Sequence, residues 1–490
     1  KVRDNDEKIN KDKGNEELFS NFRKSISRRS RGFLAPEYNI QCVEAAVNKP
    51  FDEGIKVERE LFTKLMTGSQ SAAQRYAFFS ERQANKVPDI SKDESIKEIK
   101  KVGVIGAGTM GGGISMNFAN VGIPITIIEQ NEERLEKGIS VIRRNYENTA
   151  KKGRISENDV ETRMGLINGQ TSLDSLNDCD LIIEAVFENM ELKKDIFKQL
   201  DSIAKEGAIL ASNTSALNVN EIAAETSRPE DVIGLHFFSP ANVMRLLEIV
   251  RGEKTSKSVV ASSLAIAKKI NKIAAVVGVC PGFVGNRILA QRQREANKLI
   301  LEGALPWEID DALYDFGFPM GPFAMSDLAG LDIGWNKETS KGETLRDLLC
   351  EAGRLGQKSG KGFYLYDENR NKSPDPEVEQ IIRDFAEARQ IRLRDVTKEE
   401  ILERCLYPMI NEGFKILEEG MAIRASDIDV VWVYGYGWPI YEGGPMFYGS
   451  LIGFDKILER LKKMEEEFGP DFTPSPYLER VVEEKINIFA

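Results

Sequence analysis

The sequence has 490 residues, of which 41% are hydrophobic and 30% charged, and its formal net charge is −11. This balance is typical of a globular protein, and the length predicts about three domains. The negative charge argues against nucleic acid or an anionic membrane surface as the main partner. No apolar run reaches the ~20 residues of a membrane-spanning helix.

The histidine and cysteine content limits metal chemistry and compartment. The five cysteines lie far apart without a C-x-x-C pair, and His236 is the single histidine. We therefore expect no metal site and a set of reduced thiols. The cytoplasm is the expected compartment, with an organelle matrix as the alternative. The sequence opens KVRDNDEKIN without an initiator Met, so we expect a piece of a longer protein.

The N-terminal part is polar and then helical in pattern. Residues 1–40 contain the basic run RKSISRRSRG, which is expected to be solvated or poorly ordered, with a phosphate-contacting surface as the alternative. Residues 51–86 are predicted to be helical, with a break expected at Gly68. The apolar residues at helical spacing are Ile55, Leu61, Phe62, Leu65 and Met66.

From Lys101 the pattern changes to short apolar runs that alternate with helical stretches. The strand candidates are VGVIGAG, IPITIIEQ, CDLIIEAVF, GAILASNTS, VIGLHFF and LLEIV, and the alternation continues to IAAVVGVCPG, where Pro and Gly end it. This alternation predicts an α/β fold with a doubly wound, Rossmann-type parallel sheet. After Gly285 the pattern is mainly helical.

The helical part contains an internal repeat. EANKLILEG at residues 295–303 resembles EGFKILEEG at 412–420. Each copy continues to a Gly/Pro-rich aromatic segment, DFGFPMGPF at 315–323 and GYGWPIYEGGPMF at 435–447. Two related all-helical domains are therefore predicted to follow the sheet.

The first strand candidate leads into a dinucleotide-binding pattern. Gly106, Gly108 and Gly111 have G-x-G-x-x-G spacing before a predicted helix, and Glu129 ends the second strand, about 20 residues on. The glycines allow a tight turn, close approach of a pyrophosphate and close helix packing, while the acid accepts hydrogen bonds from ribose hydroxyls. The pattern favours NAD over NADP. The alternative is a glycine-rich turn without a cofactor.

The single histidine lies in the stretch GLHFFSPANVMRLLEIV. His236 follows the strand VIGL, and Glu248 lies in the next strand candidate. A carboxylate bonded to one imidazole nitrogen fixes the tautomer and leaves the other nitrogen to act as a base. The alternatives are a structural histidine and a surface or paired carboxylate.

Together these motifs resemble the L-3-hydroxyacyl-CoA dehydrogenase family of fatty-acid β-oxidation. The matching segments are GAGTMGGGI, EAVFEN, ASNTSAL, HFFSPANVMRLLEIV, PGFVGNR, GFPMGPFAMSDLAGLD and GRLGQKSGKGFYLY. The tandem helical copy and the stretch RGFLAPEYNIQCVEAAVNKPFDEGI further resemble bifunctional hydratase–dehydrogenases. The predicted domains are 1–100 as remnant and linker helix of a missing hydratase domain, 101–281 as NAD-binding domain, 282–370 as first helical domain and 371–490 as its structural copy.

The resemblance implies roles for individual residues. His236 would be the general base and Glu248 its partner. Ser215 and Asn286 would form hydrogen bonds with the substrate's C3 oxygen or thioester carbonyl and help to seat the nicotinamide. The alternative for both polar residues is a helix cap.

Two further residues are implied to contact the cofactor. Glu188 and Lys193, in ENMELK, would lie on the nicotinamide ribose side of NAD. The alternative for Lys193 is a solvated helix face.

The implied function is NAD-dependent oxidation of (3S)-3-hydroxyacyl-CoA to 3-ketoacyl-CoA. The alternatives are a hydroxyacid dehydrogenase that acts without CoA and a non-catalytic nucleotide-binding protein. Aligning the repeats places Glu403 opposite Asn286, so residues 395–490 are expected to be structural. Because single-copy relatives dimerise through their helical domains, the tandem copy predicts a monomer.

Overall fold

The computed structural model describes Arg3 and residues 5–489. These residues form two compact units. One contains the described residues up to Ala77 together with 290–410 and 437–474. The other contains 78–289, 411–436 and the described residues from Ser475 onward.

The strands are β1 Val102–Ile105, β2 Ile125–Ile128, β3 Ile167–Gln170, β4 Leu181–Glu184, β5 Ile209–Ser212, β6 Val232–Phe237, β7 Leu246–Val250, β8 Ile273–Val277, β9 Leu365–Tyr366 and β10 Lys372–Ser373. The helices up to β8 are α1 Glu16–Ser30, α2 Leu34–Asn48, α3 Phe51–Thr67, α4 Ser69–Ala84, α5 Thr109–Ala119, α6 Glu132–Lys151, α7 Glu157–Met164, α8 Met190–Ile203, α9 Val219–Ala223 and α10 Lys257–Lys269. The later helices are α11 Gly285–Glu302, α12 Pro306–Phe316, α13 Pro322–Ala329, α14 Leu345–Glu351, α15 Pro376–Ala388, α16 Lys398–Glu418, α17 Ala425–Gly435, α18 Pro445–Ile452, α19 Phe454–Phe468 and α20 Pro476–Glu484.

Within the described residues, β1 to β8 form one sheet in the order β3-β2-β1-β4-β5-β6-β7-β8. Neighbouring strands are parallel except β6 and β7, which are antiparallel. Residues 238–245 join these two strands, and this link is too short for the dozen or more residues that a parallel crossover needs. The α/β fold class with following helical domains is thus confirmed, with one antiparallel pair in the sheet.

The strands are recognisable because most of them are buried along their whole length. β1, β2, β4, β5, β6, β7 and β8 are buried at every residue, as expected for a sheet covered on both faces. The edge strand β3, with the sequence INGQ, is only partly buried. It is absent from the strand candidates because its polar residues and glycine carry no apolar run.

In the described part of residues 1–40, the expectation of a solvated segment is confirmed, since most of its residues are exposed, whereas the expectation of poor order is wrong. This part contains α1 and the start of α2, and Phe19 packs against buried apolar residues of α2. Arg23, inside the basic run, pairs with Glu37 at 2.9 Å and with Glu44 at 2.7 Å. Most of the basic run therefore belongs to the amphipathic helix α1, which is held against α2 by both apolar and charged contacts.

The helix predicted over 51–86 is confirmed as α3 and α4. The two helices are separated at Gly68, which lies in extended conformation at the end of α3. A Cβ atom at this glycine would lie 2.9 Å from the Lys64 carbonyl oxygen.

The two repeats are joined by reciprocal ion pairs between their long helices, α11 and α16. Arg404 of α16 has a fully buried side chain that contacts Glu295 at 3.0 Å and Glu302 at 2.6 Å. Glu295 is fully buried as well. A buried charge of this kind is stabilised only when its partner is in place.

The equivalent residues of the other copy make the same contacts. Arg287 of α11 contacts Glu412 at 2.7 Å and Glu419 at 2.5 Å. In the repeat alignment, Arg287 is equivalent to Arg404, and the two glutamates are equivalent to Glu295 and Glu302. The two copies of the motif thus bond each other reciprocally.

Buried carboxylates fix the loops of the first helical domain. Asp327 accepts hydrogen bonds from the Phe363 N–H at 2.9 Å, the Tyr364 N–H at 3.0 Å and the Tyr366 hydroxyl at 3.0 Å. Burial raises the pKa of Asp327 to about 6, against the opposing effect of these hydrogen bonds. The carboxylate therefore holds the segment GFYLY against α13.

Candidate active site

The glycine-rich turn lies between β1 and α5. Gly106 has a φ of +104°, and a Cβ there would lie 2.7 Å from the Ala185 carbonyl oxygen. A Cβ at Gly111 would lie 1.8 Å from the Gly106 carbonyl oxygen, whereas a Cβ at Gly108 would meet nothing within 4 Å. The fold itself thus requires glycine at two of the positions. At Gly108, glycine leaves open space beside the N-terminus of α5, where unpaired N–H groups favour a phosphate.

Glu129 follows β2 and lies beside this turn. Its two carboxylate oxygens accept hydrogen bonds from the Ala107 N–H at 3.3 Å and from the Gln130 N–H at 3.1 Å. A carboxylate at this place suits ribose hydroxyls and repels a 2′-phosphate. The turn and the acid together fit an unphosphorylated dinucleotide.

His236 and Glu248 are directly opposite each other on the antiparallel strands β6 and β7. The Nδ1 atom of the imidazole lies 2.7 Å from Oε2 of the carboxylate, and the exposed fractions of the two side chains are 7% and 0%. Because a carboxylate only accepts hydrogen bonds, Nδ1 carries a proton, and in the neutral imidazole Nε2 is the nitrogen with the free lone pair. The imidazole also contacts the rings of Phe238 and Phe283, at centroid distances of 4.4 and 5.8 Å.

The same carboxylate holds the beginning of α11. Its other oxygen, Oε1, accepts a hydrogen bond from the Gly285 N–H at 2.9 Å. The next residue is Asn286, the second residue of α11, and its Nδ2 donates to the Ser215 carbonyl oxygen at 3.2 Å. Glu248 therefore fixes both the imidazole and the helix end that carries the predicted amide.

Glu188 brings the loop after β4 to the loop after β5. Its Oε1 accepts hydrogen bonds from the Thr214 hydroxyl at 2.7 Å and from the Ser215 N–H and hydroxyl at 2.8 and 3.0 Å. Burial would raise the pKa of Glu188, but these hydrogen bonds and the charge of Lys193 outweigh it and lower the pKa below its usual value. The acid is therefore held ionised.

Lys193 lies beneath this contact. Its side chain is 1% exposed, and Nζ lies 2.7 Å from Glu184 and 3.3 Å from Glu188. The fully buried Glu184 also accepts a hydrogen bond from the Ser212 hydroxyl at 2.7 Å. The alternative of a solvated helix face for Lys193 is wrong, because the neighbouring buried acid draws the ammonium into the protein.

The alternative role of Ser215 as a helix cap is not observed. The following helix, α9, is capped by Asn218, whose side chain accepts from the Asn220 N–H. Ser215 instead lies in the hydrogen-bond network of Glu188. One connected network thus brings together six of the residues singled out in the sequence, namely His236, Glu248, Asn286, Ser215, Glu188 and Lys193.

Three residues of this network were not found from the sequence. Glu184 ends the apolar strand LIIE, and that isolated acid was the available signal. Thr214 adjoins Ser215 in the turn after β5. Tyr436, whose hydroxyl donates to Asn286 Oδ1 at 2.7 Å, follows α17 in the second helical copy. Its available signal was the repeat itself, in which Phe316 takes the equivalent position.

Other classes of site are not represented in the part of the chain that the structure describes. No group of three or more His, Cys, Asp and Glu residues there could hold a metal ion. The five cysteines are unpaired. No described helix is long and apolar enough to cross a membrane.

The fold and the site define the class of protein. A glycine turn at the start of a doubly wound sheet and a buried His–Glu pair on the same sheet characterise a dinucleotide-dependent α/β dehydrogenase. The NAD-binding domain model of 3-hydroxyacyl-CoA dehydrogenase matches residues 101–280, and the C-terminal domain model matches residues 282–366 and 401–487.

Relatives give the same result over nearly the whole chain. The peroxisomal bifunctional enzyme of Cavia porcellus is 42% identical over 493 residues, which cover 95% of this chain and 68% of the relative. The Homo sapiens enzyme of the same name is 42% identical over 492 residues, with the same shares covered. The chain therefore belongs to the 3-hydroxyacyl-CoA dehydrogenase family and is an NAD-dependent oxidoreductase.

Two solved structures are similar. The dehydrogenase part of multifunctional enzyme 1 from C. elegans has a TM-score of 0.62 and 31% identity, covering 84% of this chain and 99% of that one. The 3-hydroxybutyryl-CoA dehydrogenase of Escherichia coli has a TM-score of 0.67 and 26% identity, covering 79% and 99%. The predicted family, cofactor and reaction class are confirmed, whereas the residue roles and the domain boundaries stay predictions.

Proposed function

We propose that this chain oxidises (3S)-3-hydroxyacyl-CoA thioesters to 3-ketoacyl-CoA, with His236 as the general base. The observation that carries the proposal is the buried contact of 2.7 Å between His236 Nδ1 and Glu248 Oε2. This contact fixes the tautomer in which Nε2 has a free lone pair. Nε2 makes no hydrogen bond within the described residues and is the atom that would accept the proton of the C3 hydroxyl.

Glu248 has two tasks in this mechanism. Its negative charge stabilises the imidazolium that forms when the proton is taken up, and full burial keeps this interaction unscreened by water. Its second oxygen holds the Gly285 N–H, so the base and the start of α11 keep a constant relative position. Asn286 would then donate a hydrogen bond to the substrate oxygen and orient it. Ser215, whose single hydroxyl proton is donated to Glu188, would do the same after its hydroxyl turns from Glu188 to the substrate.

The residues suited to hold NAD are the glycine turn and Glu129 on the adenosine side, with Glu188 and Ser215 on the nicotinamide side. NAD supplies the acceptor for the hydride from C3. The structure supports an indirect role for Lys193, whose buried ammonium pairs with Glu188. It would keep Glu188 ionised and in place beside the cofactor.

The test is an NADH oxidation assay with acetoacetyl-CoA and, in parallel, with free acetoacetate. We expect turnover of the thioester and little of the free acid. His236→Gln should retain NADH binding and lose about 10²–10⁴-fold in kcat. Equal turnover of both substrates would favour the hydroxyacid dehydrogenase alternative, and no turnover of either would favour the non-catalytic one.

We also propose a monomer in an organelle matrix. The reciprocal ion pairs between the two helical copies support an internal pairing in place of a dimer. The names of the relatives support a peroxisome rather than the cytoplasm. Light scattering after size exclusion tests the mass, and a dimer would contradict the proposal. Imaging of the natural full-length protein against a peroxisomal marker tests the compartment.

A further inference from the structure

Tyr436 lies beside the predicted substrate-orienting amide. It follows α17 in the second helical copy, and its hydroxyl donates to Asn286 Oδ1 at 2.7 Å. Its ring packs edge-on against Phe238 at 5.4 Å and stacks on Trp432 at 4.5 Å. The phenol is therefore held in place by apolar contacts, and its hydroxyl meets the amide.

Two contacts together decide how the amide faces: the Ser215 carbonyl selects the orientation, and the Tyr436 hydroxyl bonds the opposite end. Asn286 Nδ2 donates to the Ser215 carbonyl oxygen at 3.2 Å, and that oxygen can only accept. With Tyr436 donating to Oδ1, both ends of the amide are bonded in one orientation. The second N–H of Nδ2 makes no hydrogen bond within the described residues. It is thus available to donate to a substrate oxygen, whereas a flipped amide would direct its carbonyl oxygen at the Ser215 carbonyl and repel it.

The repeat shows that the hydroxyl is not needed to build the fold. The alignment of DFGFP with GYGWP places Phe316 at the position of Tyr436. Phe316 packs on Phe318 and Trp438, with centroid distances of 5.6 and 5.3 Å. An aromatic ring thus serves both copies, and only one copy carries the hydroxyl.

The geometry supports this alignment. A Cβ at Gly317 would lie 2.8 Å from Cβ of Pro439, and a Cβ at Gly437 would lie 2.7 Å from Cγ of Pro319. These reciprocal close approaches involve equivalent residues of the two copies. The positions on either side are therefore equivalent as well.

Asn286 and Tyr436 are both replaced by other residues at the equivalent positions of the repeat. Glu403 takes the position of Asn286 and forms an ion pair with Arg460 at 2.7 Å, while Phe316 takes the position of Tyr436. The amide and the hydroxyl thus occur together in one half of the repeat and are both absent from the other. This joint occurrence indicates a shared task rather than a packing requirement.

We propose that Tyr436 is a positioning residue, which orients the Asn286 amide so that its N–H faces the C3 oxygen of the substrate. The proposal rests on the proposed function. It gives the second helical copy, expected from sequence to be structural over residues 395–490, a part in the reaction. Tyr436 acts through Asn286 and does not itself contact the substrate.

The experiment is a double-mutant cycle with acetoacetyl-CoA and NADH. Tyr436→Phe should lower kcat/KM about threefold to tenfold, the equivalent of one hydrogen bond, with NADH affinity unchanged. Asn286→Ala should cost more. The double variant should match Asn286→Ala alone, because a residue that acts through the amide has no effect once the amide is removed. Tyr434→Phe is the matched control, since its hydroxyl bonds Glu81 at 2.7 Å and its kinetics should be unchanged.

A second variant tests the same contact without removing a polar group. A Cβ at Gly285 would lie 2.5 Å from the Tyr436 hydroxyl oxygen, so Gly285→Ala should displace the phenol and reproduce the loss. This keeps the test valid if Tyr436→Phe proves unstable.

Two results would overturn the proposal. One is wild-type kcat/KM in Tyr436→Phe, or in Gly285→Ala if the first variant does not fold. The other is additive losses in the double variant. A failure of the proposed function is distinguishable, because the wild-type protein would then show no turnover of acetoacetyl-CoA at all.

Discussion

Replacing Glu248 by Gln tests the central contact of the site with a minimal change of shape. The two carboxylate oxygens each accept one hydrogen bond, from His236 Nδ1 and from the Gly285 N–H. Glutamine has a single acceptor oxygen. If that oxygen accepts from Gly285, the amide N–H donates to Nδ1 and moves the imidazole proton to Nε2, which then cannot act as a base. If that oxygen accepts from His236, the Gly285 N–H at the start of α11 faces the N–H₂ group of the glutamine, and two donors are left without an acceptor.

The expected fall in kcat/KM follows from the loss of the negative charge of Glu248 and from the full burial of this side chain. A hydrogen bond to a charged group contributes about 1.5–3 kcal/mol. The bond from His236 to Glu248 gains this strength only when the imidazole has taken up the substrate's proton, so its loss slows the reaction. Since each ~1.4 kcal/mol is tenfold in rate, kcat/KM should fall about 10- to 150-fold. Loss of the base itself, at about 10²–10⁴-fold, sets the upper limit.

The assay is the initial rate of NADH oxidation with acetoacetyl-CoA, together with NADH binding by fluorescence titration. We expect kcat/KM to fall while the Kd for NADH stays the same. Glu253→Gln, a change of an exposed carboxylate in the same unit, should behave as wild type. Unchanged kcat/KM in Glu248→Gln, or a weaker NADH affinity at unchanged kcat, would refute this reasoning.

Three further expectations concern the cofactor turn, the helix pairing and a buried acid. Gly108→Ala should fold normally yet bind NADH at least about tenfold more weakly, a cost of ~1.4 kcal/mol, whereas Gly111→Ala should lower the Tm itself; equal melting curves would contradict this. Arg404→Met removes the fully buried cation that contacts both Glu295 and Glu302 and leaves Glu295 with the partly exposed Lys298, at 3.1 Å, as its nearest cation. It should cost about 1.5–3 kcal/mol in urea unfolding, so a loss below ~1 kcal/mol would contradict the structure. Asp327 has a pKa raised by burial to about 6. It therefore favours folding while protonated, and this stabilisation, up to ~3 kcal/mol, is lost as the pH rises from about 4 to 6. The difference in unfolding free energy between wild type and Asp327→Asn should change with pH over that window, and a constant difference would rule the effect out.

The sequence alone determined the sheet, the cofactor turn and the family. Buried parallel strands consist of continuous apolar runs, so seven strands of the large sheet were visible and only the polar edge strand β3 was missed. The glycines of the turn were visible because backbone sterics at Gly106 and Gly111 permit no other residue. The repeat was visible because both copies build the same helices from similar residues.

The sequence also placed the separate members of the site, but not their contacts. Lys193 is charged and lies on a helix, so exposure was a reasonable alternative, and only the packing of α8 showed its ammonium beside Glu184 and Glu188. The helical order of the basic run in α1 was likewise not evident, because the carboxylates that pair with Arg23 lie on the next helix.

What only the tertiary structure decided is which distant residues share a hydrogen bond. The antiparallel register of β6 and β7 sets the 2.7 Å contact of His236 with Glu248, and the position of α17 brings the Tyr436 hydroxyl to Asn286. Periodicity and motifs report local conformation and burial, which short stretches of chain determine. The partner of a buried polar group depends on how separate elements pack, and no local pattern in the sequence specifies that.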